Sequence, residues 1–173
     1  SSAASDVYKR QDLIKAAVKD KNTVAIKQTL YRTTIKSKII NSLVKAAKKD
    51  IAVTVVIGLR AKFDEEKNIK IAKKLEDAGV QVTYGLKNYK THAKALLIIR
   101  EEKGTLVNYF HLGTGNYHEN TAKLYTDFSL ISANKEIASD VNKFFLQLTG
   151  SNKDIQYNHL FLSPIDSSKK VIK

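Results

Sequence analysis

Ile51-Ala-Val-Thr-Val-Val-Ile57 is the stretch on which the fold turns. It carries no charge, is rich in β-branched side chains and is apolar on both faces, the pattern of an interior strand covered by helices on each side. Upstream, apolar residues Ile39, Ile40, Leu43, Val44 and Ala47 have helical spacing. Ser37 is placed to cap that helix, which ends near Asp50. Further back, residues 24–30 predict a strand, and Leu13, Ile14, Ala17 and Val18 predict a short helix over 12–20, closed by the turn Asp20-Lys21-Asn22. Downstream, a helix over 64–78 stops at Gly79, where a left-handed cap is favoured, and a strand follows over 80–84. Residues 93–99 and 105–112 predict a hairpin around Glu102-Lys103-Gly104, residues 125–131 a further strand, and Ile137, Val141, Phe144, Phe145 and Leu148 a last helix closed by Gly150. Strands alternating with helices, plus one hairpin, specify an α/β domain with a mixed β-sheet flanked by α-helices.

The 173 residues, 43% of them hydrophobic, suffice for one sizeable core. Thirty Lys and Arg against 17 Asp and Glu leave a formal charge of +13, so the first partner to consider is a polyanion: nucleic acid, an anionic membrane or a phosphate polymer. Part of that charge is ordinary solvated surface, since Lys70, Lys73 and Lys74 share a helical pattern with Glu65, Glu66, Glu76 and Asp77. The absence of cysteine excludes disulfides and thiolate metal sites. No apolar run approaches the ~18 residues of a membrane-spanning helix, and no signal peptide with an apolar centre opens the chain. A soluble, cytoplasmic protein is expected.

The chain contains no Met and stops in Ser167-Ser-Lys-Lys-Val-Ile-Lys173, so it reads as cut at both ends. Asp6-Val-Tyr-Lys-Arg-Gln11 resembles one reading frame of a sequencing transposon end. Residues 1–11 are therefore expected to be non-native read-through, 12–163 a catalytic lobe, and 164–173, from the single proline Pro164, the truncated start of a linker or second lobe.

The most informative cluster is Lys90-Thr-His-Ala-Lys94, entering an apolar strand. The two-residue period of a strand sends His92 and Lys94 to one side, where they offer a nitrogen nucleophile and a fixed cation suited to attack on phosphorus. A lone His at a strand end is more often a hydrogen-bonded structural residue; the neighbouring motifs weigh against that reading. In His111-Leu-Gly-Thr-Gly-Asn-Tyr117, Gly113 and Gly115 permit close backbone approach and leave amide N–H groups to cradle an anion, while Thr114 and Asn116 add side-chain donors. By itself this is an ordinary glycine turn; after a His-x-Lys strand it is specific. Arg32 and Lys62 follow strand ends, where open α/β sheets place ligand contacts. Arg binds phosphate through two parallel donors and Lys as a point charge, and either alone reads as a solvated cation. Asp64-Glu65-Glu66 opens a helix, and stabilisation of the helix dipole accounts for it without a metal.

In order along the chain, Ile26-Lys-Gln-Thr-Leu-Tyr-Arg32, Leu59-Arg-Ala-Lys-Phe-Asp-Glu-Glu66, Lys90-Thr-His-Ala-Lys94, His111-Leu-Gly-Thr-Gly-Asn-Tyr117 and Thr121-Ala-Lys-Leu-Tyr-Thr-Asp127 resemble the first of the two carboxyl-terminal catalytic domains of the long, bacterial-type polyphosphate kinases. The resemblance covers residues 12–163 and implies a phospholipase D-like lobe, one of two that face each other across a single site. It implies a parent enzyme that moves the γ-phosphate reversibly between ATP and inorganic polyphosphate, with Mg²⁺ accompanying the nucleotide. His92 would then form a phosphohistidine, Lys94 and Asn116 would hold phosphate oxygens, Arg32 and Lys62 would line the Mg²⁺-phosphate site, and Tyr125 would contact the nucleotide. The implied partners are ATP, ADP, polyphosphate, and a second lobe supplying another essential His and an Arg, within a homo-oligomer; nucleic acid is not among them. The family setting is cytoplasmic, at most peripheral to the inner membrane. By itself the chain is expected to bind phosphate and turn over poorly or not at all.

Two positions depart from the family pattern: Lys62 stands where Arg is usual, losing the bidentate fork, and Gly58 where Glu is usual, removing a carboxylate. Two rival readings are a phospholipase D-type nuclease or phosphatidyl transferase and a non-catalytic polyanion-binding module. The former usually places Asp five residues after the Lys, where this chain has Ile99.

Overall fold

The computed structural model describes residues 3–30, 36–58, 65–84, 95–112 and 135–149. Along the chain these form α1 (Ala3–Lys19), β1 (Thr23–Leu30), α2 (Lys38–Lys48), β2 (Ala52–Ile57), α3 (Glu65–Asp77), β3 (Gln81–Tyr84), β4 (Ala95–Glu102), β5 (Thr105–Leu112) and α4 (Lys135–Leu148). The strands make one mixed sheet of order β3-β2-β1-β4-β5, in which β1 pairs in parallel with β2, β2 in parallel with β3, and β4 antiparallel with both β1 and β5. The expected mixed sheet flanked by helices is therefore present. The strand at its centre is β1, with the 51–57 stretch one place to the side.

Local sequence explains where the elements start and stop. Ser37 is extended (φ −65°, ψ 147°) and its hydroxyl accepts the Ile40 N–H at 3.2 Å, capping α2 as expected. Both α2 and α3 end in the same reversal. The Ile51 and Val80 N–H groups return to the carbonyls of Ala46 and Leu75, and those of Asp50 and Gly79 to Ala47 and Glu76. That geometry needs a left-handed residue, supplied by Gly79 (φ 100°) and, at the expense of a side-chain clash, by Asp50 (φ 66°). In the β4–β5 hairpin Lys103 (φ 51°) and Gly104 (φ 80°) are both left-handed, the turn whose twist suits two-residue hairpins.

The sheet divides the core in two. Helices α1, α2 and α3 cover one face, where Ile14, Ile40, Leu43 and Leu75 pack on Ile26, Val55, Ile57, Leu96 and Ile98. Helix α4 covers the other, where Val141, Phe144 and Phe145 pack on Val56, Ala95, Leu97 and Phe110. The alternation is visible within single strands: Val55 and Ile57 face one cluster and Val56 the other, as Leu96 and Ile98 do against Leu97. Helix α4 is also tied to the central strand by Lys27 Nζ, which donates to Asn142 Oδ1 at 3.1 Å. At the end of the sheet where β1 begins, Arg100 meets Asp20 at 2.6 Å and Glu102 at 2.8 Å and lies over the Tyr109 ring, whose hydroxyl also donates to Glu102.

Three boundaries differ from expectation. Helix α1 begins at Ala3, so the stretch set aside as read-through forms its first turns, and Arg10 is buried there. Strand β4 runs on to Glu102 because Glu101 and Glu102 pair with Leu106 and Thr105. The strand expected over 125–131 lies outside the described residues. Among the described residues no helix is long and apolar enough to cross a membrane.

Leu43 is fully buried at the meeting of α2 with the sheet. Leu43→Ala should lower unfolding free energy by about 2–5 kcal/mol in a denaturant titration, whereas Lys45→Ala on the outer face should stay within about 0.5 kcal/mol of the native value.

Candidate functional site

The strand directions bring five chain ends to one edge of the sheet. Leu30, Ile57 and Tyr84, the last residues of β1, β2 and β3, stand in register. Antiparallel pairing puts the start of β4 there too, with Ala95 beside Leu112, the last residue of β5. At the spacing of hydrogen-bonded strands this row is about 19 Å long.

Arg32, Lys62, His92, Lys94, Gly113, Gly115, Asn116 and Tyr125 all lie outside the described residues, as do Thr114 and Asp64. What the described residues fix is the edge from which the chain leads to them. Arg32 follows Leu30 by two residues and Lys62 follows Ile57 by five. Lys94 and His92 precede Ala95 by one and three, and Gly113 directly follows Leu112. Covalent reach alone ties Arg32, His92, Lys94 and Gly113 to within about 11 Å of their strand ends. Tyr125 is separated from Leu112 by a longer stretch that the sheet does not constrain. Of the two positions that depart from the family pattern, Gly58 is described: it leaves β2 with its N–H donating to the Leu30 carbonyl at 3.0 Å, so the position sits on the same edge.

Two side chains of β1 that sequence reasoning had given no role close this edge. Thr29 Oγ1 accepts the Ala95 N–H at 2.8 Å and donates to the Ala95 carbonyl at 3.3 Å. Gln28 Nε2 donates to the Thr29 carbonyl at 2.7 Å. Both residues are buried, and the only hint of them in the sequence is the polar run Lys27-Gln28-Thr29 inside an otherwise apolar strand. On β5, His111 is buried opposite Leu96 and so shares the face under α1, α2 and α3.

The described residues contain no cluster of three or more His, Asp or Glu that could hold a metal. Arg32 and Lys62 carry only donors, so their chemistry suits phosphate oxygens and not a hard cation, which takes oxygen ligands.

Residues 6–154 match the sequence signature described as polyphosphate kinase C-terminal domain 1. The chain belongs to the polyphosphate kinase family. It is similar to the polyphosphate kinases of Neisseria gonorrhoeae, with 48% identity over 93% of this chain, and Xylella fastidiosa, with 53% over 88%. Those matches span 24% and 22% of the relatives, so the chain corresponds to about a quarter of their length. The crystal structure of polyphosphate kinase from Porphyromonas gingivalis superposes with a TM-score of 0.66 at 29% identity, covering 86% of this chain and 25% of that one. The phospholipase D-like lobe expected from the motifs is thus supported by fold as well as by sequence.

In this polyphosphate kinase lobe Lys27 is half-buried beneath α4, and its burial lowers the ammonium pKa below the ordinary lysine value. A lowered folded-state pKa means that stability rises as pH increases from the folded value to the unfolded one, near 10.4, and is lost as pH falls back through the folded value. Lys27→Met should therefore flatten the alkaline part of a stability-against-pH curve; an unchanged alkaline slope would show that Lys27 is as well solvated in the fold as out of it.

Proposed function

We propose that this chain is the nucleophile-bearing lobe of an enzyme that transfers the γ-phosphate of ATP reversibly to inorganic polyphosphate through a phosphohistidine at His92. The observation that carries the proposal is the convergence of strand ends leading to Arg32, His92, Lys94 and Gly113 at one edge of a sheet whose sequence belongs to the polyphosphate kinase family.

Neutral His92 attacks the γ-phosphorus in line, a P–N bond forms, and the bond to the bridging oxygen breaks to release ADP. The imidazole attacks in its unprotonated form, which leaves a ring-nitrogen lone pair free to bond phosphorus. Lys94, Arg32, Lys62, Asn116 and the amides of Gly113 and Gly115 hold the phosphate oxygens, where fixed donors favour the charge that develops as the phosphoryl group moves. Tyr125 contacts the nucleotide. Mg²⁺, when bound with ATP, offsets charge on the phosphate oxygens. In the second half-reaction a terminal oxygen of polyphosphate takes the phosphoryl group and His92 is regenerated. The formal charge of +13 suits a substrate that is itself a long polyanion.

The reading includes a second lobe contributing a further His and Arg, a homo-oligomeric and cytoplasmic parent enzyme peripheral at most to the inner membrane, and no nucleic-acid partner. Ile99 sits within β4, where a phospholipase D-type nuclease or phosphatidyl transferase would usually have Asp, which disfavours that chemistry.

Incubated with γ-labelled ATP and Mg²⁺, the intact protein carrying this lobe should acquire an acid-labile label that maps to His92 and disappears in His92→Gln. Label that is absent, or that persists in His92→Gln, contradicts the mechanism. Lys62→Arg should tighten phosphate binding about three- to tenfold by restoring the bidentate fork, as read by calorimetry; equal or tighter binding by the native lysine form contradicts that role.

A further inference from the structure

We infer that Thr29 is a positioning residue of the proposed site, its hydroxyl setting where β4 begins and thereby the placement of His92 and Lys94; the inference rests on the reading of His92 as nucleophile. The antiparallel register of β1 with β4 runs to the pair Gln28 and Leu96. One step further towards the site edge, the Thr29 hydroxyl engages both backbone polar groups of Ala95, at 2.8 Å to the nitrogen and 3.3 Å to the oxygen. Thr29 is 2% exposed and Ala95 fully buried, so no solvent stands ready to replace these bonds. The Thr29 carbonyl is taken by the Gln28 amide, so side chains close the end of this strand pair.

Ala95 directly follows Lys94. The planar peptide between them transmits any shift of the Ala95 nitrogen to Lys94 without a soft torsion at the amide, and His92 is two residues further on. Phosphoryl transfer to a nitrogen nucleophile depends on near-attack geometry, and a displacement of about 1 Å can cost about a hundredfold in rate. A single hydroxyl at the root of the His-x-Lys segment therefore has leverage on chemistry it does not touch. Its partner residues are 66 positions apart in sequence, so the bond also sets which part of β4 meets the end of β1. The polar Arg100 cluster lies at the opposite end of the same strands and has no such lever.

The test compares Thr29→Val, Thr29→Ala and Thr29→Ser with Leu43→Ala in the intact protein carrying this lobe. Val keeps the volume and strand preference without the bonds, Ala removes the hydroxyl with less steric demand should Val not fold, and Ser restores the hydroxyl. Leu43→Ala is a destabilised control distant from the edge. Three quantities are read: the single-turnover rate of His92 labelling from γ-labelled ATP, the ATP dissociation constant, and the NMR titration midpoint of His92. Thr29→Val and Thr29→Ala should slow labelling about tenfold or more, leave ATP affinity within about threefold, and move the His92 midpoint, while Thr29→Ser stays near native in all three. Leu43→Ala should lower the melting temperature and leave labelling of the folded protein near native. Native-rate labelling in the variants lacking the hydroxyl, failure of Ser to rescue, or equal slowing in Leu43→Ala would overturn the inference. If native protein is not labelled at His92, the phosphoryl-transfer reading fails. The His92 midpoints then decide the positioning role separately: a shift in the Val or Ala variant that Ser reverses supports it, and no such shift overturns it.

Discussion

Strand β1 is bonded to a parallel neighbour on one side and an antiparallel neighbour on the other, and the rest of the arrangement depends on that asymmetry. Parallel pairing makes β1, β2 and β3 end on the same edge, so the segments that follow them start together. Antiparallel pairing of β4 makes that strand begin on the edge where β1 ends, and the hairpin returns β5 to it. A sheet of uniform direction would have put the start of β4, and with it the His-x-Lys segment, at the far edge from the segment holding Arg32. The mixed sheet is thus the condition for the proposed phosphate site, whose four stretches of chain all leave from this edge.

Holding that geometry requires both faces of β1 to be covered, and the two faces are covered differently. Three helices seal one side with aliphatic side chains, while a single helix with two phenylalanines in edge-to-face contact anchors the other. Lys27 and Thr29 on β1 sit among the residues of the α4 side and make polar contacts there, to Asn142 and Ala95. Thr29 is buried, and a polar group so placed is costly unless bonded, so once satisfied it discriminates against shifted registers more sharply than an aliphatic residue would. The Arg100 cluster differs: its carboxylate partners are partly exposed, and such pairs contribute little to stability. The backbone N–H of Asn22 donates to the Asp20 carboxylate and, with Arg100 adding to it, holds the pKa below its usual value against a modest desolvation.

Much of this was legible in local sequence because local chemistry dictates it. Ser37 had to cap a helix whose apolar residues fall at helical spacing, Gly79 had to end one, and Lys103-Gly104 had to turn a hairpin. The start of α1 was not legible, since residues 3–10 offer little apolar periodicity. Which strand lies in the centre was hidden as well, because pairing order is a property of contacts distant in sequence. The same holds for Lys27 with Asn142, 115 residues apart, and for Thr29 with Ala95. The candidate site itself was read from motif spacing and family resemblance, and the fold adds to it the edge from which the chain reaches those motifs. The placement of Arg32, Lys62, His92, Lys94, Gly113, Gly115, Asn116 and Tyr125 is outside the described residues.

The central claim is that separate stretches at one sheet edge form a single phosphate site, and the most direct measurement is a tripolyphosphate titration of the isotopically labelled chain followed by backbone amide NMR. The account predicts saturable, concerted shifts in Arg32, His92, Lys94, Gly113, Gly115 and Asn116 with one dissociation constant. Shifts spread over the lysines of α2 and α3, with those six residues unmoved, would contradict it.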